Sequence, residues 1–276
     1  MSRFKADLHL HSTISDGSLS AEKMIACAQR LGMQVLSFVE HDTMQDFPAA
    51  EEAAARHGIR LIPGVELSAK CPQTGRKMHI LGYGILDPQM IERACAEILT
   101  QRNCAAQTMI TELALLGYPI TYDDIATYSG EAGVIYRQHI IHALCDRGYE
   151  TVIYGELYKK YYGTVLKSDL PEFDAIEAIR LIREAGGLAV LAHPYQYDSI
   201  EAIQTLVAQG LLGLEAYYPD HTEEQRTALV AIAQQYSLFL TGGSDAHGLY
   251  SAKSWPIGCV DFAIEKTHPL MQTTRR

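Results

Sequence analysis

The sequence predicts an α/β protein made of repeated strand–helix units. Short apolar runs alternate with amphipathic helical patterns along most of the chain. Two of these runs, LAVLAHP and LFLTGGSD, are almost continuously apolar and end in polar residues. Such runs are typical of strands that are buried on both faces of a parallel sheet. Repeated units of this kind favour a closed barrel, and an open sheet is the alternative at this point.

Seven strands and five accompanying helices are predicted from this alternation. The strands span residues 4–9, 35–39, 60–63, 78–83, 188–192, 213–217 and 238–242. The helices span residues 21–31, 49–57, 175–185, 200–209 and 223–236.

One stretch, residues 88–170, breaks the alternation and contains no strand pattern. Its helical patterns span residues 92–116, 134–147 and 156–161. We therefore predict a discontinuous barrel domain, residues 1–87 and 171–264, which carries residues 88–170 as a helical insertion that forms a substrate cap. Residues 265–276 are predicted to be a polar and loosely ordered tail.

Charge and composition exclude some classes of protein. The chain has 276 residues, a net charge of −10 and a pI near 5.5, so it is not expected to coat nucleic acid by bulk positive charge. A local metal site can still bind an anion, because bound cations dominate the field around them. The six cysteines form no C-x-x-C pair, and the sequence opens without an apolar signal segment. Reduced thiols and a cytoplasmic location without membrane association are therefore expected.

The motif Asp7-Leu8-His9-Leu10-His11 contains the first candidate metal ligands. His9 and His11 flank Leu10, so both imidazoles point to one face of a strand. Two imidazoles about 6–7 Å apart along a strand can bind one metal ion from the same side. Alone, such a pair is equally well explained as a chance surface arrangement.

Further acidic and imidazole residues give this pair its significance. They are Asp16, His41, Glu66, His79, His193, Asp245 and His247. Most of them end or follow a predicted strand, and the carboxyl ends of the strands form the active face of a barrel. Each has another explanation when it is taken singly, for example Asp16 as a turn residue beside Gly17. Together they predict one cluster of nine metal ligands.

Six imidazoles and three carboxylates are too many for one ion. Divided into sets that share Glu66, they predict two or three divalent ions. Nitrogen and oxygen donors without thiolate favour Mn²⁺, with Zn²⁺, Fe²⁺ and Mg²⁺ as alternatives. Three dications against three carboxylates leave about three surplus positive charges by formal counting, which suits a phosphate dianion.

Several segments, taken in order, resemble the motifs of the polymerase-and-histidinol-phosphatase (PHP) family. They are DLHLHSTISDG, EHDT, IPGVELS, HILGYGI, GGLAVLAHP and GGSDAHG. The resemblance implies a metal-dependent phosphoesterase with a distorted, TIM-like (β/α)7 barrel, which agrees with the seven predicted strands, and a trinuclear metal site.

The resemblance also implies how the ligands are divided. The first set is His9, His11, Glu66 and Asp245. The second set is Glu66, His79 and His193, and the third is Asp16, His41 and His247. A hydroxide between the first two ions would attack phosphorus in line. The catalytic residues are then His9, His11, Glu66, His193 and Asp245.

The helical insertion carries the substrate prediction. Its segment GVIYRQHIIHALCDRGY resembles the PHP subgroup that hydrolyses 3′,5′-nucleoside bisphosphates such as pAp, and members of that group also degrade short RNA from the 5′ end. The resemblance assigns substrate binding to Arg137 and His139, whereas Tyr136 and Gln138 replace the usual Gly and Pro. A guanidinium also suits a second phosphate on physical grounds, because it binds phosphate at two points.

Alternatives to this interpretation stay open at this point. The same barrel could serve a histidinol-phosphate phosphatase or a non-catalytic PHP accessory module, and Arg137 could lie on the surface of an amphipathic helix. Lys159 and Lys160, interleaved with tyrosines, either contact a phosphate and a base or lie on a solvated helix face. Asp42 is expected to orient the imidazole of His41 beside it.

Overall fold

The computed structural model describes residues 3–45, 47–130, 132–167, 170–251, 253 and 255–273. Its strands are β1 (Arg3–Leu10), β2 (Val35–Phe38), β3 (Arg60–Leu61), β4 (Gly64–Lys70), β5 (Lys77–Tyr83), β6 (Phe173–Asp174), β7 (Leu188–Leu191), β8 (Gly213–Tyr217), β9 (Phe239–Gly242) and β10 (Ala263–Glu265).

The α-helices alternate with these strands and also fill the long middle segment. They are α1 (Ala21–Arg30), α2 (Phe47–Arg56), α3 (Pro88–Leu115), α4 (Tyr122–Ala126), α5 (Arg137–Asp146), α6 (Glu156–Tyr161), α7 (Ala175–Glu184), α8 (Ile203–Ala208), α9 (Glu223–Tyr236) and α10 (Pro269–Gln272). Short 3₁₀ turns span Ile200–Ala202 and Gly248–Tyr250.

The strands form two sheets that approach each other at the predicted active face. One has the order β10-β1-β2-β3, and the other has the order β6-β4-β5-β7-β8-β9. Single bridges link the two sheets, from Leu10 to Ala246 and from His41 to Glu66. Most neighbouring strands are parallel, and helices connect them. The α/β, TIM-like class with a helical segment is therefore confirmed.

Two adjacent strands differ from the prediction. The run predicted as residues 60–63 is only the short β3, and the chain resumes after Pro63 as β4, because proline cannot donate to a ladder. β4 pairs antiparallel with β5, and β5 pairs antiparallel with β7. Glu66 and His79 therefore lie inside strands of a hairpin, whereas the sequence predicted Glu66 in the loop after the strand at residues 60–63.

The helical segment packs around an apolar cluster of its own. Every member of this cluster lies within residues 105–166, and Leu113, Ile140 and Leu144 are fully buried in it. Such a separate core supports an insertion, and its boundaries at residues 88 and 170 remain predictions. Helix α3 begins four residues earlier than predicted, since Asp87 accepts a hydrogen bond from the Met90 backbone N–H and Pro88 occupies the first turn.

The described part of the tail is more ordered than predicted. Strand β10 pairs antiparallel with β1, and α10 places Leu270 in full burial. Burial of apolar side chains such as Ile264 and Leu270 against the barrel accounts for this order. None of the helices in the described ranges combines the length and the apolarity that a bilayer span requires.

Candidate metal centre

Strand β1 carries His9, and His11 directly follows it on the same face, as predicted from the alternation of side chains along a strand. His9 and His11 are fully buried, and their ring centroids lie 5.2 Å apart. Leu8 and Leu10 pack in two different apolar clusters away from the imidazoles. The strand therefore presents both rings to the space between the two sheets.

Two glycines let loops approach this strand closely. A Cβ added at Gly243 would lie 2.4 Å from the backbone nitrogen and the Cβ of His9, and one added at Gly17 would lie 2.1 Å from the carbonyl oxygen of His11. No side chain fits at such distances. Glycine at these positions therefore brings the loops with Asp16 and Asp245 against the histidines.

All nine predicted ligands come together in four overlapping groups. In each group the donor atoms lie within 4.8 Å of one another. The groups are His11, Asp16, His41 and His247; His9, Glu66 and His193; His9, His11 and Asp245; and His41, Glu66 and His79. Because the groups share residues, they agree with the single ligand cluster that the family resemblance implies. They do not determine which ligands would bind which ion.

Glu66 occupies the centre of the cluster. Its Oε1 lies 2.7 Å from Nδ1 of His79 and 3.1 Å from Nε2 of His193. Its Oε2 lies 3.2 Å from Nε2 of His11 and 3.2 Å from Nδ1 of His41. A carboxylate with imidazoles on both oxygens has the geometry expected of a bridging ligand.

The electrostatics of the site keep its carboxylates ionised. Burial alone would raise the pKa of Glu66, but the imidazoles around it, His79 foremost, lower that pKa well below its usual range. The pKa of Asp16 is lowered against the same effect of burial, chiefly by His247 and His41. The clustered carboxylates therefore remain anionic at neutral pH.

The pKa values of the imidazoles in the cluster are shifted in opposite directions. Burial opposes the charged form of His11, but the adjacent carboxylates of Asp245 and Glu66 outweigh it and raise the pKa of His11 to about 10. Burial lowers the pKa of His79 to about 4. The cluster thus holds protons at some positions and neutral imidazoles at others.

Several fully buried donor and acceptor atoms of the cluster have no hydrogen-bond partner among the described residues. They are His9 Nε2, His11 Nε2, Asp16 Oδ1, His41 Nδ1, His79 Nε2 and His193 Nδ1. Each unpaired buried polar atom costs about 1–3 kcal/mol. Divalent ions would satisfy these atoms, so the residues fit the predicted metals. When bound, such ions lower the pKa of water and stabilise charge on a phosphoryl group.

Backbone strain is concentrated at the same place. Five non-glycine residues in the described ranges have a positive φ, and three of them are Asp42, His193 and Asp245, at 58°, 22° and 52°. Such conformations persist only where the surroundings enforce them, and they cluster at functional sites.

Asp42 has a different role from the one expected. Its carboxylate accepts hydrogen bonds from the backbone and the hydroxyl of Ser68, both at 2.8 Å, and from Arg102 at 3.2 Å. Because these contacts occupy the carboxylate, the expectation that Asp42 orients His41 is wrong. Asp42 instead joins β4 to helix α3.

A cavity opens beside the ligand cluster. Its walls include the predicted ligands Asp16, His41 and His79, and the cations Lys77, Arg102 and Arg137. Burial lowers the pKa of the Lys77 ammonium. The carboxylates of Glu172 and Glu66 oppose this shift, and the positive charges of Arg137 and Arg102 add to it. Three cations thus face one space next to the predicted metals.

Sequence reasoning found Arg137 but missed Lys77 and Arg102. Lys77 precedes a predicted strand by one residue, and Arg102 lies in a long helix that reads as amphipathic. Neither position carries a local signal, because only the fold brings them to the cavity.

The other residues predicted to contact substrate lie elsewhere. His139 is fully buried, and its Nδ1 accepts a hydrogen bond from the Tyr136 backbone N–H, as part of the start of α5. It does not line the cavity. Lys159 is 66% exposed and pairs with Glu156 within α6, which favours a solvated helix face.

Glu215 is a third residue that the sequence did not single out. It lies in β8, it is fully buried, and it accepts hydrogen bonds from the Nδ1 of His9 and the backbone of His193. An acidic residue inside the apolar run GLEAY was the available signal, since a buried carboxylate needs partners.

Comparisons with known proteins agree with the fold and the cluster. A family model described as the PHP domain matches residues 7–182. The phosphoribosyl 1,2-cyclic phosphate 1,2-diphosphodiesterase of Eggerthella lenta is 36% identical over 247 residues, which cover 88% of this chain and 94% of that protein. The 5′-3′ exoribonuclease Rnm of Salmonella typhimurium is 32% identical over 258 residues, covering 87% and 84% of the two chains.

A third relative and a solved structure extend the comparison. The 3′,5′-nucleoside bisphosphate phosphatase of Chromobacterium violaceum is 29% identical over 254 residues, covering 87% and 86% of the two chains. A crystal structure from Bifidobacterium adolescentis, described as a metal-dependent phosphoesterase, superimposes with a TM-score of 0.77 at 28% identity, over 90% of this chain and 89% of that one.

Fold and site together define a metal-dependent phosphoesterase, an enzyme that hydrolyses phosphoric ester bonds. Within that class, the chain belongs to the PHP family.

Proposed function

We propose that this phosphoesterase removes a phosphate from a ribose that carries a second phosphoryl group, with 3′,5′-nucleoside bisphosphates such as pAp as its substrates. The observation that carries the proposal is the cavity in which Lys77, Arg102 and Arg137 face the ligands His41 and His79. Metals at the cluster would bind the phosphate that is cleaved. The three cations would bind the other phosphate, away from the reaction.

The metal ligands of this proposal are those predicted from the sequence. His9, His11, Asp16, His41, Glu66, His79, His193, Asp245 and His247 would hold two or three divalent ions, with Mn²⁺ expected. Support comes from their convergence around Glu66 and from the unpaired buried atoms that ions would satisfy.

The chain's own residues then position the substrate. Arg137 and Lys77 line the cavity, and their guanidinium and ammonium groups supply donors for a phosphate there. Gln138 donates to Asp16 at 3.4 Å, which ties the start of α5 to the ligand cluster. Because α5 begins with Arg137, this contact holds Arg137 close to the ligand cluster, as a substrate with two phosphates would require.

Aromatic side chains beside Arg137 support a nucleoside. The guanidinium carbon of Arg137 lies 5.1 Å from the ring centre of Tyr162, which is 49% exposed. Tyr158 lies next to Tyr162, with ring centroids 5.2 Å apart. The exposed ring of Tyr162, flanked by the partly buried Tyr158, suits the stacking of a base, in a mononucleotide or at the 5′ end of a short RNA.

A second candidate substrate is phosphoribosyl 1,2-cyclic phosphate. The relative that acts on this compound is 36% identical, compared with 29% for the bisphosphate phosphatase. Both compounds are riboses with two phosphoryl groups, so the basic cavity suits either. Only the cyclic substrate lacks a base.

Substrate comparison tests the proposal. The kcat/KM of the Mn²⁺-loaded protein would be measured on pAp, on a 5′-phosphorylated RNA dinucleotide, on phosphoribosyl 1,2-cyclic phosphate and on histidinol phosphate. We expect pAp to be preferred over histidinol phosphate by at least roughly tenfold, the effect of one charged hydrogen bond. Preference for the cyclic compound would establish the second candidate, and preference for histidinol phosphate would refute both.

A further inference from the structure

Glu215 contacts two predicted ligand residues that come from different strands. Its Oε1 accepts a hydrogen bond from Nδ1 of His9 at 2.9 Å, and its Oε2 accepts one from the backbone N–H of His193 at 2.9 Å. Its side chain is fully buried. Among the described residues Glu215 contributes to none of the four donor groups, so it differs from Glu66 in supporting ligands without being one.

The contact with His9 determines which of its ring nitrogens would be free to bind a metal ion. A neutral imidazole has one donor nitrogen and one acceptor nitrogen, whereas an ionised carboxylate only accepts. Glu215 therefore favours the tautomer with the proton on Nδ1. The Nε2 of His9 is then left as an acceptor, 3.4 Å from Glu66 and 3.3 Å from Asp245, where it has no hydrogen-bond partner among the described residues.

The contact with His193 fixes a strained backbone. His193 has a φ of 22°, in the region that favours glycine. The hydrogen bond from its N–H to Glu215 stabilises this conformation, which directs the imidazole toward Oε1 of Glu66 at 3.1 Å. One carboxylate thereby holds two members of the group His9, Glu66 and His193.

We propose that Glu215 is a positioning residue that sets the affinity for metal at the predicted ligands His9 and His193. It acts through the tautomer of His9 and the backbone of His193, and its negative charge adds to that of the ligands. This inference rests on the metal-dependent function proposed above. Residues that orient ligating histidines change metal affinity by about 10- to 100-fold when they are replaced.

The test is Mn²⁺ binding by the metal-free Glu215→Gln variant. Glutamine has nearly the shape of glutamate, but one end of its amide is an NH₂ donor. That donor would face another donor, either the His9 imidazole N–H or the backbone N–H of His193. We expect calorimetric titration to show one Mn²⁺ site weakened by about 10- to 100-fold relative to the wild type. A role in packing alone predicts unchanged affinity, because the two side chains have the same volume, and that result would overturn the inference.

A matched control separates metal affinity from general stability. Ser37 is fully buried in β2, and its hydroxyl donates to the carbonyl of Ile62 at 2.9 Å. Ser37→Ala removes a buried hydrogen bond of the barrel away from the ligands. It should lower the melting temperature while leaving Mn²⁺ affinity unchanged. An equal loss of affinity in this control would mean that the loss in Glu215→Gln reports stability, which contradicts the proposed role.

The wild-type protein provides a measurement that needs no variant. In the Zn²⁺-loaded protein, nitrogen-15 NMR should show His9 with its proton on Nδ1, slow in exchange and shifted downfield by the carboxylate. A proton on Nε2 would refute the inference even if Glu215→Gln failed to fold. If Mn²⁺ affinity depends on Glu215 but no phosphate ester is hydrolysed, the proposed function fails and this inference stands.

Discussion

The guanidinium carbon of Arg102 lies 4.5 Å from the ring centre of Tyr136. This contact stacks a cation of α3 on the residue that precedes α5. Arg102 also donates to the fully buried Asp42, and the Tyr136 hydroxyl donates to the carbonyl of His41 at 3.3 Å. Through these contacts the helical segment is joined to the loop that holds a predicted metal ligand.

The ion pair between Arg102 and Asp42 gives a stability prediction. Arg102→Met would leave the Asp42 carboxylate buried without its cation, and we expect a loss of about 3–5 kcal/mol in the free energy of unfolding. Urea denaturation measures this loss. Adding Asp42→Asn should recover part of it, because the uncompensated charge is then removed.

Arg93 supplies the control on the same helix. It is 68% exposed, and its pair with Asp87 is 3.9 Å long, so Arg93→Met should cost at most about 1 kcal/mol. Equal losses for the Arg102→Met single variant and the double variant would show that the buried pair is not what Arg102 stabilises.

Gly243→Ala tests the close approach of the last loop to β1. The added Cβ would meet the backbone of His9 at 2.4 Å, so either the loop or His9 must move. We expect a destabilisation of about 1–3 kcal/mol and a loss of bound metal, measured by thermal unfolding and by elemental analysis. Gly163→Ala is the control, since a Cβ there meets nothing within 4 Å. Full metal content in Gly243→Ala would contradict the packing described here.

Arg137→Ala separates substrate recognition from chemistry. Loss of charged hydrogen bonds to the second phosphate should raise KM for pAp by roughly 10- to 100-fold. The KM for a simple aryl phosphate, which has no second phosphate, should hardly change. Lys159→Ala, on the exposed face of α6, should leave both values unaltered. Equal losses on both substrates in Arg137→Ala would show that this residue has no selective phosphate role.

Metal binding should release protons. The adjacent carboxylates of Asp245 and Glu66 overcome the effect of burial and raise the pKa of His11 to about 10, so the metal-free protein holds a proton there at pH 8. An ion needs the neutral imidazole, and its affinity should therefore rise with pH. Calorimetry in two buffers of different ionisation enthalpy measures the protons released. Identical heats in both buffers would contradict this expectation.

The sequence predicted the ligand cluster better than the strands that carry it. The nine candidate ligands could be singled out because His, Asp and Glu recur where apolar runs end, and that pattern survives small errors in strand bounds. The hairpin of β4 and β5 was missed although Val65, Leu67 and Ala69 alternate with polar residues in VELSAK. Antiparallel pairing there depends on contacts between strands, which no local pattern encodes.

The residues that surround the candidate ligands could be predicted only in part. Glu215 had a visible signal, as a carboxylate inside an apolar strand, whereas Arg102 looked like any cation on a long helix. Its place beside the cavity follows from how α3 packs on α5 and from the buried Asp42 that it meets. Contacts of this kind between residues distant in sequence depend on tertiary packing, so they produce no recognisable pattern in the sequence.

Metal-dependent turnover tests the central claim most directly. The protein would be stripped with a chelator, and its hydrolysis of pAp measured before and after stoichiometric addition of Mn²⁺, in the wild type and in His9→Ala. The account predicts no turnover in the stripped wild type, recovery on addition of two or three equivalents, and little recovery in His9→Ala. Full turnover by the stripped protein, or a His9→Ala variant with normal metal content and rate, would contradict it.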